Sequence, residues 1–281
     1  YWIALFTFIT LNLTQGFINS SISITASDFI PIISSIILAP TRIGDSYYPY
    51  LGIAWTLTFE FFFYLIYASL LVFKIKNRLM ILSGLFLFLI IFHFIFNSYI
   101  HSPFFQYYTH PIILEFVLGC WIGYLIKQNK HLSYRLAITA IIVSIIAISF
   151  SSQLSGPFIS FSNLNPWRVV FWGLPSALLV YAFVSLERII TNFSLRSMIT
   201  LGDASYSLYL FHAALILPVL GFIFSTLNIY LYINIYMMVV VLSSCCICIS
   251  VLIHKFIEIP TTSAIRQRIS NENIVSPQNS I

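Results

Sequence analysis

Charge is what this chain has least of. Of its 281 residues only 13 are Lys or Arg and 8 are Asp or Glu, 7% together, where a soluble globular domain carries about a quarter. With 59% hydrophobic residues and a mean hydropathy of +0.95, that shortage excludes a water-soluble fold. No polar domain stands apart from the apolar stretches, so a single integral membrane domain is expected. Cysteine is also scarce. Cys120, Cys245, Cys246 and Cys248 all lie inside apolar segments, which argues for buried thiols and against a disulfide framework or a structural metal site. The formal charge of +5 reads as Lys and Arg in the loops on one side of a membrane, not as a nucleic-acid surface. An initiating Met is lacking too, and the chain opens mid-pattern with YWIALFTFITLNL, so further sequence is expected upstream.

What is present in quantity is apolar sequence in runs long enough to cross roughly 30 Å of hydrocarbon. Candidate spans fall at 1–14, 50–73, 79–98, 110–126, 136–151, 166–186, 201–224 and 230–256, giving an all-α, polytopic helical bundle of about eight transmembrane helices. The stretch 16–40 has short, Ser-rich apolar runs bounded by Pro31 and Pro40. It is expected to be a loop with a short interfacial or re-entrant piece. The basic residues support this count. Lys74, Lys76 and Arg78 share one connection, Lys127, Lys130 and Arg135 lie two connections on, Arg188 and Arg196 two further, and Lys255, Arg266 and Arg268 close the chain, whereas Arg42 and Arg168 fall on the other side. The positive-inside rule makes the first group cytoplasmic and places both ends of this chain in the cytoplasm. The polar segment after Pro260 is expected to be a short disordered tail. No repeat of fixed period and no pairing of broken helices is visible.

Against such a background an ionisable side chain stands out, because placing one at the bilayer centre costs about 3 kcal/mol. Glu60, in GIAWTLTFEFFFYLIYA (52–68), counts to mid-span, with Thr56, Tyr64 and Tyr67 near it at helical spacing. In LGDASYSLYLFHAAL (201–215), Ser205, Tyr209 and His212 share a helix face, and Asp203 sits near the helix start, where an acid suits the dipole. His212 counts to a depth like that of Glu60. A histidine beside a carboxylate can take a proton from a hydroxyl while the carboxylate fixes its tautomer; the alternative is a hydrogen-bonded core histidine. Arg168, in NPWRVVFWGLP, and Glu115 lie toward the outer face, where either could line a cavity for a polar substrate, Arg suiting an anionic or sugar-bearing one. The alternative for Arg168 is an interfacial anchor between Trp167 and Trp172. His93, His101 and His110 read as interfacial, Asp28 and Asp45 as loop acids, and the 27 Phe and 17 Tyr as packing and lipid-facing residues.

AWTLTFEFFFYLIYA (54–68) resembles the Trp-Ser/Thr-Leu-x-x-Glu-x-x-Phe-Tyr element of the acyltransferase 3 family, membrane O-acyltransferases of bacterial surface glycans. Its form is closest to the exopolysaccharide production branch. ILEFVLGCWIGYL (113–125), RVVFWGLPSALLVYAFVSLE (168–187), LGDASYSLYLFHAAL (201–215) and FIEIP (256–260) resemble further elements of that family in the same order, and YWIA resembles the end of its Arg-x-x-Pro-x-Tyr-Trp element.

The resemblance implies a transmembrane acyltransferase domain over 1–259 followed by a short polar cytoplasmic tail, in a bacterial inner-membrane protein of about ten spans. It implies transfer of an acyl group, acetyl in the first instance, from acyl-CoA as co-substrate to a hydroxyl of a glycan or lipid-linked saccharide. No bound cofactor or metal and no nucleic-acid partner is implied. Among residues present, Glu60 and His212 are the expected catalytic pair, and Tyr206, Tyr209, Arg168 and Trp55 the expected substrate-binding groups. The first helix of the family carries an Arg and a His regarded as catalytic, which are expected before residue 1. Two other readings fit the residues: a transporter or flippase using the same intramembrane polar groups, and a non-catalytic component of polysaccharide assembly.

Overall fold

Within hydrocarbon every backbone N–H and C=O must find its partner inside the protein, and a helix does so within one segment. The computed structural model follows that rule. It describes residues 1–19, 26–41, 49–154, 167–190, 196–229 and 232–275, and among these there is no strand. The helices are α1 (Trp2–Asn19), α2 (Ala26–Ile36), α3 (Trp55–Val72), α4 (Arg78–Phe96), α5 (Pro103–Tyr108), α6 (Leu114–Lys127), α7 (Tyr134–Leu154), α8 (Leu174–Ile190), α9 (Arg196–Asp203), α10 (Ser205–Phe211), α11 (Leu217–Thr226), α12 (Ile235–Ile253) and α13 (Ile259–Val275).

Seven continuous helical stretches among the described residues are long and apolar enough to cross a membrane: Gly52–Val72, Arg78–Phe96, Pro103–Lys127, Tyr134–Ser151, Val169–Glu187, Ser205–Thr226 and Ile235–Arg268. A shorter apolar helix covers Trp2–Thr14. Seven of the eight expected spans are therefore found as helices of membrane-crossing length, the first being the shorter helix, and the protein is an all-α, multi-pass membrane protein.

The stretch 16–40, expected to be a loop with a short interfacial or re-entrant piece, carries the 11-residue α2, about 16 Å long and so half the thickness of the hydrocarbon core. One expectation needs correction. Beyond Pro260 the chain is helix through Val275, not a disordered tail. The last span is accordingly 34 residues, about 51 Å, and its polar end must emerge from the bilayer. Arg42 and Asp45 lie outside the described residues, as does the side chain of Asp28.

The chain forms two compact units, one of Tyr1–Ile24 with Leu195–Ile281, the other of Thr25–Ser194. In the second, α7 lies along α8 on small residues, with Ala137, Ala140 and Ala182 buried beside Leu186. Helices in lipid associate through such close backbone approach, since lipid tails leave no hydrophobic gain in separating them from Leu. A larger core joins α3, α4 and α6 through Phe63, Leu70, Leu82, Phe86, Ile90, Ile113 and Val117. Trp121 ties α6 to α4 by donating to the Ser83 hydroxyl at 3.1 Å.

Three helical turns are widened to π geometry: Val169–Gly173, His212–Ile216 and His254–Glu258. Each is closed by an i→i+5 bond from the residue just before a proline, Leu174 to Val169, Leu217 to His212 and Ile259 to His254. The cause is in the sequence. Pro175, Pro218 and Pro260 have no N–H, and their rings clash with the carbonyl four residues back, which a wider turn relieves. At the first turn the carbonyl that Pro175 cannot serve is that of Phe171, and the Ser151 hydroxyl of α7 donates to it at 2.8 Å, a side chain taking the place of the lost backbone donor. The prolines thus widen the helices beside Arg168, His212, His254 and Glu258.

Candidate active site

Glu60 lies eight residues below Gly52 in a 21-residue span, about 12 Å from that end, in the middle third as expected. It is half-buried, and the Tyr64 hydroxyl one turn on donates to its Oε1 at 2.6 Å. A phenol–carboxylate bond of that length is charge-assisted and keeps one oxygen engaged while Oε2 is left for another partner. Tyr67, also expected beside Glu60, stacks on Phe63, with centroids 6.1 Å apart and planes 9° apart. Phe59, on the same face as Phe63, is buried and stacked on Tyr107 at 5.0 Å. This aromatic packing fixes the rotation of α3 and hence the direction of Glu60.

At the upper end of the same unit α3, α6 and the π turn before α8 all begin, and three side chains meet. The Arg168 guanidinium lies over the Trp55 ring, 5.4 Å from its centroid, a cation–π contact. Its Nε is 3.8 Å from Glu115 Oε1, close enough for attraction but too far for a hydrogen bond. Gly173 makes room for the carboxylate: a Cβ there would lie 3.2 Å from Glu115 Cγ and 3.3 Å from Oε1. Trp55 is itself buried, at 9% exposure, so it acts as the shelf that holds Arg168. The sequence reading had singled out Arg168, Glu115 and Trp55 separately; the fold joins them.

In the other unit His212 opens the second π turn. Its Nδ1 is 2.9 Å from the Leu208 carbonyl; a carbonyl only accepts, so Nδ1 donates, and in the neutral tautomer that this fixes, Nε2 is the nitrogen with the lone pair. The tautomer is therefore set by the backbone of its own helix, the task that the sequence reading gave to a carboxylate. The Tyr209 ring lies 6.5 Å from the imidazole. Tyr206 is 43% exposed on the same helix. His212 stands seven residues from Ser205 in the 22-residue span, about 10 Å in and nearer the middle of the span than its end. Asp203 ends α9, and Ala204 occupies the cap position before α10 with no side-chain cap. Glu60 and His212 fall in different units.

A third constellation was not anticipated. Glu258 Oε2 accepts from the Ser207 hydroxyl at 2.6 Å and from His254 Nδ1 at 2.9 Å. The π turn of His254–Glu258 places the imidazole and the carboxylate on one face, and α10 delivers Ser207 from 51 residues away. His254 was not singled out, and Glu258 was seen only as part of FIEIP. The available signal was a His and a Glu four apart, with Pro two residues beyond the Glu.

His93 and His110, expected at the interface, are instead buried, at 4% and 2% exposure. The Thr109 hydroxyl donates to the Phe105 carbonyl at 2.6 Å and therefore accepts from His93 Nδ1 at 2.9 Å. His110 Nδ1 caps the turn at Pro111 by accepting from the Ile112 N–H at 3.1 Å. Both serve the packing of α4 against α5. His101 is exposed.

Fold and site together define a multi-pass membrane protein with a carboxylate and a histidine set inside spanning helices. The acyltransferase 3 family model, described as an acyltransferase domain, matches residues 1–254, and the chain belongs to that family. It is similar to the exopolysaccharide production protein ExoZ of Rhizobium meliloti (strain 1021), with 34% identity over 189 residues, 64% of this chain and 54% of that protein. The chain thus spans about half the length of this curated relative. No solved structure matches it.

Proposed function

We propose that this chain carries the acyl-transfer core of a bacterial inner-membrane O-acyltransferase. The enzyme moves an acyl group, acetyl in the first instance, from acyl-CoA to a hydroxyl of an exopolysaccharide or its lipid-linked precursor. The reading rests on the family match over residues 1–254, and the glycan acceptor on the similarity to an exopolysaccharide production protein. The distribution of Lys and Arg supports connections at Lys74, Lys127 and Arg188 on the cytoplasmic side, where acyl-CoA resides.

A sugar hydroxyl attacks a thioester only if its proton is taken as the C–O bond forms, and the tetrahedral intermediate needs a donor for its oxyanion. Glu60 is assigned as the proton acceptor or as the group that orients it. His212 is assigned to proton transfer, and Tyr206 and Tyr209 to hydrogen bonding as hydroxyl donors. Arg168, on its Trp55 shelf, is assigned to the glycan.

The test compares surface glycans by mass spectrometry from cells with and without the full-length gene, alongside transfer of labelled acetyl from acetyl-CoA in isolated membranes. Loss of an acyl ester on deletion is expected; an unchanged acyl pattern removes the reading and favours a transporter or a non-catalytic assembly component.

The π turn at His212 offers a narrower check. Pro218→Ala returns an N–H to the helix, so the turn is expected to tighten to α and rotate His212 by roughly one residue, about 100°, against α11. The thermal midpoint is expected to hold or rise, because the proline's cost in a helix is removed. Acyl transfer is expected to fall at least tenfold.

A further inference from the structure

The geometry points to Arg168 and Glu115 as a subsite for a neutral sugar, held through two adjacent hydroxyl groups that accept from the guanidinium and donate to the carboxylate. This extends the glycan-acceptor reading above by naming the chemistry of the acceptor at that mouth.

The pair is not built as a structural salt bridge. A structural Arg–carboxylate pair closes to direct hydrogen bonds near 2.8 Å, whereas here the nearest approach is 3.8 Å. Trp55 holds the guanidinium from one side, and the open face of Gly173 receives Glu115 on the other, so each is fixed where it stands. The Arg168 Nε is buried without a hydrogen-bond partner, and so is the Trp172 Nε1–H of the same π turn. Yet the Arg168 and Glu115 side chains remain 40% and 35% exposed, and a ligand can reach both.

A group that bridges such a pair from its exposed side must accept from one partner and donate to the other. A hydroxyl does both, while a carboxylate, phosphate or sulfate only accepts. Glu115 also opposes an anion directly, since any acid drawn to Arg168 would face the carboxylate that already neutralises it. The starts of α3, α6 and the π turn before α8 converge at this mouth, and the partial positive charge of helix N-termini favours electronegative oxygens without demanding a full charge. The chemistry therefore selects a vicinal diol over an acidic sugar.

The test measures binding with no acyl donor present, so that loss of sugar recognition and loss of acyl transfer are read separately. Cellotetraose and its glucuronate-bearing counterpart are titrated by calorimetry against the full-length protein in lipid nanodiscs. The wild type is expected to bind the neutral probe at least tenfold more tightly than the acidic one. Glu115→Gln, nearly isosteric, is expected to weaken the neutral probe by less than tenfold and to strengthen the acidic one, reversing the preference. Arg168→Gln is expected to lower affinity for both at least tenfold. A wild type that prefers the glucuronate, a preference unmoved by Glu115→Gln, or failure of the neutral probe to bind overturns the assignment.

Discussion

Glu60→Gln is expected to lower glycan O-acylation by about a hundredfold or more, the range that a positioned proton acceptor contributes, equivalent to about 3 kcal/mol of transition-state stabilisation. The physical reason is narrow. Gln keeps the size of the side chain and an oxygen that can accept from Tyr64, so the 2.6 Å contact on α3 survives in kind and the packing of Phe59 and Phe63 is untouched. What disappears is the carboxylate's capacity to take a proton. Its removal from the middle of a span also takes away an insertion cost of about 3 kcal/mol, so the variant is expected to accumulate in membranes at least as well as wild type. Tyr64→Phe is the matching control: it frees Glu60 Oε1 without altering its charge, and a loss below tenfold is expected. The two effects are separated by measuring labelled acetyl transfer in membranes normalised to protein amount. Wild-type transfer by Glu60→Gln would show that the carboxylate is structural.

Hydropathy and charge made the spans legible because both report on a one-dimensional property, depth in a bilayer. Each span needs about 20 apolar residues whatever it packs against, and Lys74, Lys127 and Arg188 recur in every second connection without reference to any contact. Pairings were not legible. Arg168 and Glu115 are 53 positions apart, as Arg168−Glu115 counts along the chain, and Ser207 and Glu258 are 51 apart; only the packing of α6 with α8 and of α10 with α12 brings them together. Burial at the helix ends was hidden for a related reason. His93 and His110 occupy positions that hydropathy assigns to an interface, and only α5, folded back across α4, covers them. The π turns are an intermediate case. Their prolines are plain in the sequence, but a proline in an apolar helix can kink it, end it or widen it, and the choice is made by neighbours such as Ser151 that satisfy the freed carbonyl.

Glu258→Ala is expected to cost about 3 kcal/mol, the largest stability loss among the polar substitutions considered. Glu258 accepts from Ser207 and His254 on one oxygen, and hydrogen bonds to a charged group contribute about 1.5–3 kcal/mol each. Without the carboxylate the Ser207 hydroxyl, at 2% exposure, is left buried and unpaired, and that desolvation is the larger part of the cost. For a chain of this size the loss corresponds to a fall of roughly 6–12 °C in thermal midpoint, readable by the temperature at which the detergent-solubilised protein loses its monodisperse peak. Ser207→Ala alone removes one donor and leaves Glu258 bonded to His254, so about 1 kcal/mol is expected. In the Glu258→Ala background the same change is expected to recover stability, because the orphaned hydroxyl goes with it. That reversal of sign separates a true link between α10 and the His254–Glu258 turn from a general intolerance of change. Additive losses in the double variant would mean that Ser207 and Glu258 act independently, and that what holds α10 against α12 is their apolar contact alone.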